Sequence, residues 1–344
     1  MNKRSKGFIS MILIVMISLL AACGGEQTTN ETESEIEITS DSSGEEVKIK
    51  FAHSAAESNS RHEAALKFKS LVEEKSDNQI TVEVFPNEVL GSEPQMVEGV
   101  AFDDIQMVAA STFAQYEPKV DVFGLPFLFE TNEQAWEALD GEIGQAVFEP
   151  LLDDNLRVLG HLENGFRHVT NSKKPIETVE DLKGMKIRTP EMPILISIFR
   201  ALGSNPTPMA FGELYMALQQ GTVDGQENPI SNIHASKFSE VQDYLSLTGH
   251  SYAPTTIAIS DQFWNTLTPE QQEIIQSSVV ETSEFHRNKV KEDEATLLAE
   301  LEEAGMKVNR PDIASFREAS QAVYAEYEDV YGKDLIDSIL NAQQ

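Results

Sequence analysis

The chain has 344 residues, 40% of them hydrophobic, a single cysteine and a formal net charge of −31 at pH 7. A chain of this length holds about two domains of ~150 residues. Its core can do without disulfides, and one cysteine excludes both those and cysteine-based metal sites. So acidic a surface is repelled by nucleic acid and by anionic headgroups. A site for an anion would have to gather local cations against the overall field.

Lys3, Arg4 and Lys6 precede an apolar run from Phe8 to Leu20, which leads into Ala21-Ala22-Cys23-Gly24-Gly25. A basic start, a short apolar stretch and small residues at a cleavage point read as an export signal over residues 1–22. The run falls short of the about 20 residues of a stable membrane span. Leu20-Ala21-Ala22-Cys23 resembles the bacterial lipobox, in which the cysteine is lipidated and becomes the new N-terminus. The alternative is a soluble signal peptide with an incidental cysteine. Residues 24–46 are almost all Gly, Glu, Thr, Ser, Asn and Asp, with Ile36 and Ile38 the apolar exceptions. Such a segment buries too little to offset the entropy of ordering. Residues 23–46 therefore read as a disordered acidic tether, which places the folded part at the outer face of the cytoplasmic membrane. One acyl chain binds a membrane only marginally, so stable anchoring would take several.

Val47 to Phe51 and Ile80 to Phe85 alternate apolar and polar, as strands do. Between them, Glu63 to Glu74 carries Ala64, Ala65, Phe68, Leu71 and Val72 at helical spacing. Pro94 to Phe102 reads as a short helix and Ile105 to Ala109 as a strand. This β-α-β-α-β opening implies a mainly parallel sheet flanked by helices. Leu156 to Leu162, Phe166 to Thr170 and Met185 to Arg188 are further strands. Pro193 to Leu202 and Glu213 to Gln220 are helices, ended by Gly203 and Gly221. The second unit is therefore also α/β. Thr268, Pro269 and Gln271 form a helix start with a capping box, and no proline or glycine follows until Gly305. A helix of roughly 50 Å with separated apolar patches would brace two domains; a break near Ser283 is the alternative.

Enzyme signatures are lacking: no GxSxG, P-loop or GxGxxG occurs, and the seven histidines form no HExxH. Two arginines stand in constrained contexts. Arg167 lies in Asn164-Gly165-Phe166-Arg167-His168, and Arg188 closes a strand just before Thr189-Pro190. Ligands of α/β sheets gather outside the carboxyl ends of strands, where an arginine can grip a carboxylate through two parallel hydrogen bonds. Surface ion pairs explain the same arginines equally well on physical grounds.

Leu182-Lys183-Gly184-Met185-Lys186-Ile187-Arg188-Thr189-Pro190 is similar to the signature of the substrate-binding proteins of TRAP (tripartite ATP-independent periplasmic) transporters. So are Pro206 to Gln219 and Gly221-Thr222-Val223-Asp224-Gly225-Gln226-Glu227-Asn228-Pro229. Phe123 to Phe129 and Asn164 to Ile176 share the likeness, which spans roughly residue 47 to the C-terminus. The resemblance implies a two-domain periplasmic-binding-protein-like fold around a cleft, with a long helix touching both domains. Domain I would comprise 47–164 plus 253–293, and domain II 165–252 plus 294–344. Such a protein closes on a small organic acid and delivers it to a membrane permease driven by an ion gradient, without catalysis and without a cofactor.

By position, Arg188 resembles the family arginine that clamps the ligand carboxylate, and Arg167 a second arginine reaching the same end. Asn228 resembles an asparagine donating to that carboxylate, and Phe211 an aromatic packing over the ligand. Glu227 falls near the ligand or the hinge, and Asp224 reads as a turn residue. In the other domain His53, Ser54, Glu57 and Glu93 stand where members read the rest of the solute. Sialic-acid-binding members carry a glutamate where this chain has Ala109-Ala110-Ser111, which argues against sialic acid. A C4-dicarboxylate and a sugar acid such as a uronate both stay open. A ligand-presenting sensor for a membrane receptor and a two-domain hydrolase or transferase are the alternatives in other classes.

Overall fold

The computed structural model describes residues 46–343. The export signal, Cys23 and nearly all of the acidic tether lie outside them. The first half of the chain runs β1 (Val47–His53), α1 (Ser60–Lys75), β2 (Ile80–Phe85), α2 (Glu93–Ala101), β3 (Met107–Ala110), α3 (Asn132–Asp140), α4 (Glu142–Phe148) and β4 (Leu156–Leu162). It continues as β5 (His168–Asn171), β6 (Lys186–Thr189), α5 (Pro193–Ala201), β7 (Asn205–Pro208), α6 (Phe211–Gln219), β8 (Gly225–Asn228), α7 (Ile230–Ala235) and β9 (Tyr244–Ser246). The last part is β10 (Thr255–Ser260), α8 (Asp261–Trp264), α9 (Pro269–Glu303), β11 (Lys307–Asn309), α10 (Ile313–Tyr331) and α11 (Lys333–Asn341).

These strands form two sheets, ordered β2-β1-β3-β10-β4 and β11-β9-β5-β8-β6-β7. Each defines a lobe. In the first, β2, β1, β3 and β4 run one way and β10 alone runs against them. In the second, β5 alone is reversed. The sheets are mainly parallel, as expected, each with one reversed strand, and the reason for the reversal is topological. The chain leaves β4 at its carboxyl end and enters β5 within a few residues; it leaves β9 the same way and crosses back into β10. A strand entered directly from the cleft starts at the edge where its neighbours end, so it must run antiparallel. Both sheets consequently turn their carboxyl edges toward each other.

The capping box at Thr268 forms as expected, with Thr268 Oγ1 accepting from Gln271 N at 3.2 Å and Gln271 Oε1 accepting from Thr268 N at 2.9 Å. Helix α9 then runs 35 residues without a break at Ser283. Ile275 and Val279 join the first lobe's core with Ile49 and Phe68. Farther along, Leu297, Leu298 and Leu301 join the second lobe's core with Leu214 and Leu245. Between these patches the buried positions are Thr282, Ser283, His286 and Val290.

Strands β7 and β8 escape a reading by periodicity. Prolines 206 and 208 mask β7. In β8 all four residues are buried although three of them are Gln226, Glu227 and Asn228. Buried polar groups must be paired, and these are: Gln226 Nε2 donates to Thr170 Oγ1 at 2.9 Å, and Asn228 Nδ2 donates to Gln226 Oε1 at 2.5 Å. Asp224 anchors the strand entry, its Oδ2 accepting from Lys186 N at 2.9 Å. Gly225 sits so close to β5 that an added Cβ would lie 2.2 Å from the Thr170 carbonyl oxygen. Forcing atoms into such contacts typically costs about 1–3 kcal/mol or more. Gly225→Ala should therefore lower the urea midpoint with an unchanged slope, and an unaltered midpoint would refute this tight pairing.

Candidate functional site

The facing sheet edges enclose a cavity. Ser54, at the end of β1, and Ser111, after β3, line one wall; Arg188 from β6 and Asn228 from β8 line the other. Phe211 at the start of α6 and Arg167 just before β5 complete the second wall. The lobes meet across the mouth. Asn59 Nδ2 donates to Asn232 Oδ1 at 3.0 Å, and Gly212 N donates to Glu88 Oε2 at 2.7 Å.

Arg188 is 2% exposed. Its Nε and Nη2 both donate to the Met209 carbonyl, at 3.0 and 2.6 Å, and its guanidinium carbon lies 5.7 Å from the Phe211 ring centre. Among the described residues no carboxylate forms an ion pair with it. Burial drives its pKa down to about 10, with Glu227 the main opposing charge. A buried charge without a partner is costly, and this one lines the cavity between the lobes.

Arg167 is differently placed. Its Nε and Nη2 grip Glu227, the latter at 2.8 Å from Oε1, and Nη2 also donates to the Glu227 carbonyl at 3.0 Å. Glu227 is wholly buried, and its Oε2 also lies 3.2 Å from His250 Nε2. Burial pushes that carboxyl up, but Arg167 and His250 outweigh it and hold it below the usual range. Glu227 is thus the counterion behind the wall rather than part of the lining.

Of the nine expected ligand residues, Arg188, Arg167, Asn228, Phe211, Ser54 and Glu93 line the cavity. His53, Glu57 and Glu227 do not. His53 is fully buried one residue before Ser54 and pairs its Nε2 with His62 Nδ1 at 3.1 Å. His53 closes β1 with its ring held by His62, whereas Ser54 follows the strand and reaches the cavity. Glu57 is exposed on the loop after β1. Asn228 turns Nδ2 onto Gln226, and its Oδ1 accepts from Asn232 at 3.1 Å and from Arg167 at 3.3 Å. One of the two Nδ2 hydrogens goes to Gln226, which leaves the second for the expected donation.

A third lining arginine escaped the sequence reading. Arg61 is buried, donating from Nη1 to Ser54 Oγ at 3.2 Å and from Nη2 to Asn164 Oδ1 at 2.9 Å. Its Nη1 is 3.7 Å from Glu93 Oε1. The available signal was a cation in the first turn of α1, where the helix dipole disfavours positive charge. Glu93 is held in turn, accepting from Ser54 Oγ at 2.5 Å and Ser111 N at 3.0 Å.

The profile of the bacterial extracellular solute-binding protein family 7 (DctP) matches residues 51–329. The chain belongs to this family, the solute-binding proteins of TRAP transporters. It is 36% identical over 290 residues to the 2,3-diketo-L-gulonate-binding periplasmic protein YiaO of Escherichia coli, covering 83% of this chain and 88% of that one. A TRAP solute-binding protein from Polaromonas sp. JS666, bound to D-erythronate, superimposes with a TM-score of 0.83 at 36% identity, over 86% of this chain and 98% of that one. Another from Sulfurospirillum deleyianum, with bound succinate, gives 0.82 at 30% identity over 86% and 98%. The family 7 protein is thus a solute-binding transport protein, not an enzyme.

In this family 7 protein the two crossings between lobes are tied together at Glu163. Tyr252 Oη and Trp136 Nε1 donate to its Oε2, the former at 2.9 Å. Burial pushes Glu163 up to about 7, against these two hydrogen bonds. Burial likewise pushes Asp121 up to about 7. It pushes His53, His168 and His286 down to about 3, and His161 down to about 4. Histidines neutral in the fold but protonated when unfolded lend stability that is lost as pH falls below about 6.5. The two raised acids act oppositely, costing stability as pH rises from about 4 to 7. Four histidines outweigh two acids, so the melting temperature should fall from pH 6.5 to 4.5. A scan of Tm against pH checks this; a flat or rising profile toward acid would contradict the buried neutral histidines.

Proposed function

We propose that the protein captures a small organic acid between its lobes and hands it to a TRAP membrane permease for ion-gradient-driven uptake. The observation that carries this reading is Arg188, a buried guanidinium that lines the cavity and forms no ion pair with a carboxylate among the described residues. The acid's carboxylate would supply that partner. Met209 would hold the guanidinium plane, and Phe211 would cover it. Asn228 would donate its second Nδ2 hydrogen to the same carboxylate, while Arg167, balanced by Glu227, would add field without a free charge. Segments 47–164 plus 253–293 and 165–252 plus 294–344 would move as the two closing bodies, with α9 spanning both. Related proteins bind 2,3-diketo-L-gulonate, D-erythronate and succinate, which supports a C4-dicarboxylate or a sugar acid as ligand.

Removing one partner of a buried, hydrogen-bonded charge pair typically costs about 2–5 kcal/mol. Arg188→Ala should weaken binding of D-erythronate or succinate at least tenfold in titration calorimetry. An unchanged affinity for whichever acid binds would overturn the clamp. We further propose that the mature chain begins at lipidated Cys23 and is held to the outer face of the cytoplasmic membrane. Cys23→Ser should then shift the protein from the membrane fraction to the soluble fraction on fractionation of expressing cells; retention in the membrane would exclude this anchor.

A further inference from the structure

We infer that the acid taken by this cleft carries one carboxylate and an uncharged, hydroxylated remainder, and that Glu88 is the residue that keeps a second carboxylate out. This rests on the acid-capture reading above.

The charges in the lining decide the point. Arg167 is committed to Glu227 through two hydrogen bonds. Arg61 lies 3.7 Å from Glu93 and is otherwise bound to Ser54 and Asn164. Arg188 is left as the one lining guanidinium without a carboxylate partner among the described residues. One unpaired cation calls for one carboxylate.

Glu88 is an opposing carboxylate, beside Glu93 and Glu191 in the same lining. It lines the same cavity, and no Lys, Arg or His pairs with it among the described residues. It belongs to the first lobe, just after β2, where Asn87 and Glu88 both adopt left-handed backbone with φ of 57° and 56°. That turn carries its carboxylate across the mouth to α6 of the second lobe. Helix α6 has no side-chain cap of its own, and the Gly212 N–H donates to Glu88 Oε2 at 2.7 Å. A Cβ at Gly212 would stand 2.9 Å from that oxygen, so the glycine leaves room for the carboxylate. An anion at a helix N-terminus is favoured, which keeps Glu88 in place when the lobes meet. Closure therefore brings a carboxylate over the ligand.

A ligand with a second carboxylate would meet Glu88, with Glu93 behind it, and no unpaired cation. A hydroxylated chain would meet groups suited to it. Carboxylate oxygens accept from hydroxyls, and the Thr112 hydroxyl in the lining is buried without a hydrogen-bond partner.

The test uses the full chain and pairs of acids that differ only in the terminal carbon: D-erythronate against meso-tartrate, and D-gluconate against D-glucarate. Titration calorimetry should show the monocarboxylate of the binding pair at least tenfold tighter. Glu88→Gln, which can still accept from Gly212, should shrink that ratio at least threefold. Equal or tighter binding of the dicarboxylate overturns the inference, and so does a ratio untouched by Glu88→Gln. Should that variant not fold, the ratio in the unaltered chain decides. Binding of both members of a pair, weakened alike by Arg188→Ala and with a ratio near one, would sink this inference and leave acid capture standing. Binding of none of these acids, or of succinate, would sink both.

Discussion

The Met209 carbonyl accepts from two nitrogens of Arg188 and from nothing else at that oxygen among the described side chains. This one contact sets the plane of the guanidinium, and the rest of the cleft is arranged around that plane. β6 brings Arg188 to the sheet's carboxyl edge, and β7 beside it delivers Met209 to the same edge. Phe211, two residues on, lies over the cation. A charge buried this way would favour any nearby carboxylate of the protein itself, which would extinguish the site. Glu227 is close enough to raise the Arg188 pKa, yet it is fully engaged by Arg167 and His250. The Arg167–Glu227 pair thus has a negative role: it keeps the protein's own anion from answering Arg188.

What could be read from the sequence and what could not divide on physical lines. Helix α9 was legible to its first residue because Thr268, Pro269 and Gln271 act locally and nothing before Gly305 breaks a helix. Arg167 and Arg188 were placed at strand ends by pattern, but whether they face a ligand or an ion pair was a question of tertiary contact, and the answers differ. Strand β8 shows no apolar alternation because its polar residues are satisfied by Thr170, Arg167 and His250, all distant in sequence. Glu57 and His53 matched the family by position. Neither position carries information on which way a side chain points at the end of a strand. Arg61 was hidden by its setting in an otherwise ordinary amphipathic helix.

Hydrogen bonding across the mouth has an energetic corollary. Asn59–Asn232 and Glu88–Gly212 join the lobes through the protein's own groups, so closure has favourable contacts of its own. Against it stands the unpaired Arg188, whose desolvation grows as water leaves. A ligand carboxylate would remove that opposition. Binding and closure would then be coupled through this one charge, and the ligand would shift the equilibrium only by its differential affinity for the closed form.

Strand β10 lies between β3 and β4 in the middle of the first sheet, although about a hundred residues separate it from β4 along the chain, a length on the order of a domain. As the polypeptide emerges N-terminus first, β3 and β4 have no partner between them until residue 255 arrives, after most of the second lobe has already appeared. The first lobe, begun earlier, must therefore be finished later. Its apolar strand edges wait open through that interval, and open edges are where chains join to one another. The two crossings between the lobes also fix the order in which the molecule can be assembled.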